Sequence, residues 1–194
     1  MGEWAASVAE VAGGLGFDNA RVVGGHSGSC VAAELAIHFP SLVASVVLDG
    51  CPLLTPQLRA TFKAMQQAVR PAPDPSGAHE SLVFRTVRTT YEHYLPGFQV
   101  TADTLETLWP AMIDYLETDF VSSAPISAEY DLESRILAIR QPLTVLTADT
   151  DTLVVTFERV CALRPDARRY RFAGHHPLHE PARAAEYAAL IDPV

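Results

Sequence analysis

The sequence predicts an α/β domain in which a parallel β-sheet is flanked by helices. At both ends of the chain, short runs rich in β-branched residues alternate with helical patterns. Such alternation is typical of parallel strands joined by crossover helices. Between the two ends, residues 52–141 show no strand-like alternation and indicate helices instead. The fold class that follows is a parallel sheet with a helical insertion.

Apolar periodicity predicts the helices and strands at the two ends of the chain, and glycine or proline residues mark where these elements end. Trp4, Val8 and Val11 recur at helical spacing in the first segment, and Pro40 ends the second helix. The predicted elements are a helix at 3–14, a strand at 21–25, a helix at 28–38, a strand at 43–48, a strand at 143–147, a helix at 152–163, a strand at 168–172 and a helix at 181–191.

The middle block is interpreted as an α-helical cap inserted into a core that residues 1–51 and 142–194 form. The alternative is a set of ordinary helices in one continuous domain. The predicted cap helices are 56–69, 80–94 and 104–118, with a proline-containing loop at 70–77. Cap residues that could line an apolar pocket or fill the cap's own core are Phe62, Met65, Phe84, Tyr91, Tyr94, Leu108, Trp109, Met112 and Tyr115.

Composition narrows the function classes. Of the 194 residues, 48% are hydrophobic and 19% charged, which is typical of a globular protein. A net charge of −9 disfavours nucleic acid and anionic membranes as partners. Three cysteines without C-x-x-C spacing, Cys30, Cys51 and Cys161, predict reduced thiols in a cytoplasmic protein rather than disulfides or a metal cluster. The first residues contain no secretory-signal pattern.

The most specific motif is Gly25-His26-Ser27-Gly28-Ser29, which lies between a predicted strand and a predicted helix. This context predicts a nucleophile elbow with Ser27 as the nucleophile in a strained turn. The N–H of Gly28 is then placed to stabilise an oxyanion. The motif departs from the usual Gly-x-Ser-x-Gly because its last position is Ser29. The alternative interpretation is a simple glycine- and serine-rich loop.

A serine nucleophile needs a histidine base and an acid that orients it. Asp151 follows a late strand and is the candidate acid, and Asp149 lies in the same turn. The alternative role for Asp151 is that of a helix N-cap. Three histidines, at positions 175, 176 and 179, follow the last strand, and one of them is the candidate base. Their spacing does not favour a zinc site, so no metal or other cofactor is expected.

Together these segments resemble the α/β-hydrolase superfamily. The stretch from Val22 to Ser29 resembles its elbow, 142–151 its acid-bearing strand, and 171–181 its histidine loop. The resemblance implies His175 as the base, with His176 as runner-up because Pro181 comes one residue early. It also gives Asp49 as a less favoured candidate for the acid that orients the histidine. Only 24 residues precede Gly25, so the chain resembles the C-terminal part of the fold.

The resemblance implies a carboxylic ester hydrolase that uses Ser27, Asp151 and His175 and forms an acyl-enzyme on a hydrophobic substrate. One alternative is a lyase or a lactone hydrolase with the same fold. Another is a non-catalytic, ligand-binding or truncated homologue. Because few residues precede the elbow, an exposed sheet edge is expected there, and such edges favour association into a homodimer.

Overall fold

The computed structural model describes residues 1–68, 74–95, 97–117 and 129–191. The chain divides into two compact units, one formed by Met1–Leu54 with Glu129–Val194 and the other by Thr55–Ala128. The first boundary lies within a few residues of the predicted one at 51/52. The second lies before residue 129 rather than after 141, so residues 129–141 belong with the sheet.

The elements alternate as the apolar periodicity predicts. In chain order they are α1 (Gly2–Gly14), β1 (Ala20–Gly25), α2 (Ser27–His38), β2 (Val43–Asp49), α3 (Pro56–Ala68), α4 (Ala78–Tyr94), α5 (Ala102–Glu117), α6 (Leu132–Ala138), β3 (Leu143–Ala148), α7 (Phe157–Leu163), β4 (Arg168–Phe172) and α8 (Ala184–Ile191). The predicted helix ends at 69 and 118, and residues 70–73 of the predicted loop, lie outside the described residues.

The four strands form one parallel sheet in the order β1-β2-β3-β4. Val23 pairs with Val47, and Leu48 pairs with Val145 in the next strand. Each strand therefore neighbours the next one along the chain, and the carboxyl ends of all four meet at one edge. The predicted fold class is confirmed.

The two faces of the sheet are buried by different helices. One face packs against α1, α2, α6 and α7, with Leu35, Ile136 and Val160 among its buried residues. The opposite face packs against α8 through Phe172 and Tyr187. Phe172 is fully buried, and truncating such a side chain to Ala typically costs about 3–5 kcal/mol.

In the helical unit, α4 and α5 pack through a small apolar core. Its buried members are Val83, Val87, Leu108 and Met112. A surface depression of about 520 Å³ has Phe84, Trp109 and Met112 among its lining residues. The side chains of Phe62, Met65, Tyr94 and Tyr115, also considered as pocket residues, lie outside the described part of the chain.

The structure differs from the predicted elements in three places. The helix expected at 152–163 begins as a 3₁₀ turn at Val154–Thr156, and the one expected at 181–191 begins as a 3₁₀ turn at Pro181–Arg183. Helix α6 has no counterpart among the predicted helices. It begins after Asp131, whose carboxylate accepts a hydrogen bond from the N–H of Ser134. Across the described ranges, no helix is long and apolar enough to span a membrane.

Candidate active site

The turn between β1 and α2 is centred on His26. This residue has φ 48° and ψ −118°, a conformation that a non-glycine residue rarely adopts. The Gly25–Ser29 motif predicted Ser27 at this strained position; the structure places His26 there and makes Ser27 the first residue of α2. The His26 N–H donates to the Asp49 carbonyl, so His26 extends the hydrogen bonding of the strand, while its own carbonyl accepts from the Ser29 N–H and starts the helix.

The glycines around the turn fit this one-residue shift. A Cβ atom on Gly24 would lie 2.3 Å from the Gly28 carbonyl oxygen, whereas one on Gly25 would meet no atom of the described residues within 4 Å. The close approach of strand and helix therefore falls at the first and last positions of Gly24-Gly25-His26-Ser27-Gly28. That pentad has glycine at both ends. This spacing indicates His26 as the central residue, whereas a motif centred on Ser27 has glycine at only one of its two ends.

His26 is paired with Asp151, the predicted acid. His26 Nε2 lies 3.0 Å from Asp151 Oδ2, and the other carboxylate oxygen accepts a 2.6 Å hydrogen bond from the Leu153 N–H. The side chain of Asp151 is buried, while that of His26 is 44% exposed. A half-exposed imidazole is thus held by a buried, doubly hydrogen-bonded carboxylate.

The pair shifts the pKa of both groups. The hydrogen bond to Asp151 raises the pKa of His26 above 6.5, and this effect outweighs partial burial, which lowers it. Burial tends to raise the pKa of Asp151, but the hydrogen bond and positive charge of His26 leave that pKa below its usual value. Both shifts favour an imidazolium–carboxylate pair in mildly acidic solution.

Gly50, which follows β2, leaves space for this pair. It adopts φ +57°, and a Cβ atom there would lie 2.5 Å from His26 Cδ2 and 2.6 Å from Asp151 Oδ2. The turn after β2 therefore brings backbone against both side chains. Only glycine combines that close approach with the left-handed conformation.

His176 forms a second, buried pair with Asp49. His176 Nδ1 accepts a hydrogen bond from the Leu178 N–H, and Nε2 lies 2.8 Å from Asp49 Oδ2, although its N–H is not aimed at that oxygen. The hydroxyl of Tyr187 donates to the same oxygen at 2.9 Å. Asp49 Oδ1 is buried and has no hydrogen-bond partner among the described residues. Both nitrogens of His176 thus face groups of the protein.

The three residues predicted as a triad do not form one connected chain of hydrogen bonds. His175, the predicted base, is partly exposed, and its Nδ1 lies 3.5 Å from Thr150 Oγ1. Ser27 is exposed at the start of α2. Asp151 bonds His26 rather than His175. Asp149, the other acid considered, instead contacts Arg171 and the Gly174 N–H.

The first turn of α2 also supplies backbone donors. The first N–H groups of a helix have no acceptor within the helix and carry the positive end of its dipole. Those of Ser27 and Gly28, the predicted oxyanion donor, occupy these positions directly after His26. Within the described residues, no group of three histidine, cysteine or acidic side chains is arranged to hold a metal ion.

Comparison with known proteins identifies the fold. No protein-family model and no curated protein matches the chain. Among solved structures, a hydrolase from Pseudomonas aeruginosa superposes with a TM-score of 0.67 at 18% identity, over 98% of this chain and 71% of that one. A bromoperoxidase from Bacillus anthracis gives 0.65 at 12% identity over 96% and 72%.

A third similar structure is E-2-(acetamidomethylene)succinate hydrolase, with a TM-score of 0.65 at 16% identity over 97% of this chain and 72% of that one. Identities this low indicate a shared fold and not a shared substrate. The parallel sheet, the strand–turn–helix elbow and these superpositions together show that the chain has the α/β-hydrolase fold.

Proposed function

We propose that the protein is a carboxylic ester hydrolase in which His26, oriented by Asp151, activates the attacking water. The observation that carries the proposal is the position of His26: it occupies the strained turn between β1 and α2, half exposed and hydrogen-bonded to a buried carboxylate. A histidine held by a carboxylate is a common general base. The structures that superpose on this chain include two hydrolases, which supports hydrolysis as the reaction class.

In the proposed reaction, His26 Nε2–H donates to Asp151 and leaves Nδ1 with its lone pair. Nδ1 removes a proton from water, and the water oxygen attacks the ester carbonyl. The N–H groups of Ser27 and Gly28 stabilise the resulting oxyanion. When the intermediate collapses, the C–O bond to the alcohol breaks and the imidazolium returns the proton to that oxygen. The products are one acid and one alcohol.

The second candidate is the acyl-enzyme mechanism with Ser27 as nucleophile. Its exposure at the start of α2, beside the same backbone donors, favours it. In that mechanism Asp151 orients a histidine base, for which His175 is the predicted residue and His176 the runner-up. The contacts of the described residues support this arrangement less. Asp151 already bonds His26, and His176 has its Nδ1 hydrogen-bonded to Leu178 and its Nε2 buried 2.8 Å from Asp49.

The test compares His26→Gln with Ser27→Ala on p-nitrophenyl acetate and hexanoate. A general base contributes about 10²–10⁴-fold to rate, so His26→Gln is expected to reduce kcat/KM at least about 100-fold. Ser27→Ala should keep the rate within about 3-fold. Circular dichroism of each variant controls for folding.

Fluorophosphonate labelling, read by intact mass, separates the two mechanisms. An adduct on the wild type that Ser27→Ala removes, together with loss of turnover, would establish the serine mechanism instead. If the folded wild type neither hydrolyses the esters nor takes up the label, the ester hydrolase proposal fails. Analysis of products from lactone and C–C-cleavable substrates would then test the lactone hydrolase and lyase alternatives.

A further inference from the structure

Two buried acidic residues, Asp49 and Asp151, lie beside His26 at the carboxyl edge of the sheet. The Asp49 carbonyl accepts the His26 N–H, and the Asp151 carboxylate contacts the His26 ring. Asp151 raises the pKa of His26 through this hydrogen bond, and the charge of Asp49 adds to the rise. Only 4% of Asp49 and 7% of Asp151 are exposed, so solvent screens their charges little.

The charge of Asp49 has no cation as its partner among the described residues that contact its carboxylate. His176 Nδ1 accepts a hydrogen bond from the Leu178 N–H, and an imidazole nitrogen that accepts carries no hydrogen, so this ring is neutral. The Tyr187 hydroxyl, which donates to Asp49 Oδ2, is neutral as well. Asp49 Oδ1 is buried and has no hydrogen-bond partner in the described part of the chain. The negative charge therefore remains largely uncompensated.

The positive groups beside these turns are engaged elsewhere. Arg171 pairs with Asp149, and Arg183 pairs with Glu186. Burial lowers the pKa of His179, so this imidazole is neutral in mildly alkaline solution. The first turn of α2 contributes about half a positive charge, which is less than the charge of two carboxylates. Around a neutral base, the described residues of this edge thus produce a negative potential.

We infer that the site selects its ester by charge, accepting neutral and cationic substrates and discriminating against anionic ones such as esters of dicarboxylic acids. The inference deepens the proposed hydrolysis and rests on it. At an effective dielectric constant of about 20, a substrate carboxylate about 8 Å from one of the two carboxylates is disfavoured about 30-fold. Because mobile ions screen part of this repulsion, we expect a selectivity of at least about 10-fold.

The kinetic test compares three p-nitrophenyl esters of matched chain length: the hexanoate, the adipate mono-ester and the 6-trimethylammonio-hexanoate. We expect the adipate to have a kcat/KM at least about 10-fold below that of the hexanoate, and the cationic ester to be no worse than the hexanoate. Added salt should narrow the difference. Equal values for hexanoate and adipate overturn the inference. An equal loss for both charged esters also overturns it, because the site then rejects polarity rather than negative charge.

A measurement with nitroxide probes separates the inference from the proposed function, because it needs no turnover. The His26 side chain is 44% exposed, so a dissolved nitroxide relaxes the hydrogens of its ring. Above the pKa of His26, measured by NMR titration, a cationic nitroxide should relax them at least about 3-fold more strongly than an anionic one of the same size. An equal or reversed effect overturns the inference, even if the esters are hydrolysed.

Asp49→Asn and Asp18→Asn test whether the potential is local. Both variants remove one unit of negative charge, but Asp18 is exposed and precedes β1, about 20 Å from His26. Asp49→Asn should lower the ratio of cationic to anionic relaxation at His26, whereas Asp18→Asn should leave it unchanged. An equal response of two folded variants, checked by circular dichroism, overturns the role of Asp49. If no ester is hydrolysed, the proposed function fails, and the relaxation ratio alone decides on the charge of the site.

Discussion

His26 Nε2 lies 3.0 Å from Asp151 Oδ2, so the turn that follows β1 is joined to the turn that follows β3. Strand β2 lies between these two strands, and Gly50 at its end leaves the space in which the two side chains meet. The pair thus depends on three turns at one edge of the sheet.

Asp151→Asn should move the acidic limb of the pH–rate profile to lower pH. In the wild type the hydrogen bond to Asp151 raises the pKa of His26 above 6.5, so at any given pH less of His26 is the neutral base than for a free imidazole. The Asn side chain carries no charge, and the pKa of His26 should fall toward or below 6.5. Ester hydrolysis measured from pH 5 to 9, with an NMR titration of the His26 ring, checks this. An unmoved limb would show that His26 is not the titrating base.

Gly50→Ala should disrupt the pair. The added Cβ would lie within 2.6 Å of both His26 and Asp151 atoms, so one side chain has to move and kcat/KM should fall at least about 10-fold. Gly16→Ala is the matched control, because Gly16 has φ +76° but no atom within 4 Å of an added Cβ. It should cost only the left-handed strain of about 1–2 kcal/mol in unfolding free energy. Equal activity of the two variants would contradict the role of Gly50.

Gly24→Ala and Gly25→Ala test where the turn is centred. The Cβ of Gly24→Ala meets the Gly28 backbone at 2.3 Å, so this variant should lose at least about 2 kcal/mol of unfolding free energy, typical of overpacking. Gly25→Ala meets nothing and should lose less than about 1 kcal/mol. Urea unfolding of both variants measures the difference. A more damaging Gly25→Ala would instead indicate a turn centred on Ser27.

Glu34→Gln tests a buried carboxylate that joins α2 to the segment containing α6. The side chain of Glu34 is buried, accepts a hydrogen bond from the Tyr130 hydroxyl, and forms ion pairs with Arg135 and His38. Loss of one charge in a buried pair typically costs about 3–5 kcal/mol. Since Arg135 and His38 are half exposed and can be hydrated, we expect about 2 kcal/mol here.

Chemical denaturation measures this loss, and Glu133→Gln is its control. The side chain of Glu133 is 46% exposed and pairs with Arg159 on the surface, so its substitution should cost less than about 1 kcal/mol. If both variants lose the same free energy, the Glu34 network contributes nothing beyond a surface ion pair.

The sequence was informative wherever a pattern repeated over several residues. Strand β4 has the predicted bounds, and Asp151 lies in the turn after β3, where the acid was expected. Periodicity reports which residues face a core, and both sheet and helices are built on that property. The predicted base, His175, and nucleophile, Ser27, remain predictions that the labelling experiment tests.

The centre of the elbow could not be predicted in the same way. The glycines at positions 24, 25 and 28 allow two frames one residue apart, and the choice depends on where the hydrogen bonds of β1 end. The contact of His176 with Asp49 was equally hidden, because it joins residues 127 positions apart. Spacing along the chain carries no information on such a contact, which exists only once β2 and the last loop are packed.

The direct pairing of β2 with β3 has a consequence for engineering. Leu54 and Glu129, the residues on either side of the helical unit, both belong to the unit that contains the sheet. The paired residues of the sheet, and both partners in the contact of His26 with Asp151, lie outside Thr55–Ala128. We therefore expect that replacing the helical unit by a different helical insert leaves the pairing of His26 with Asp151 in place.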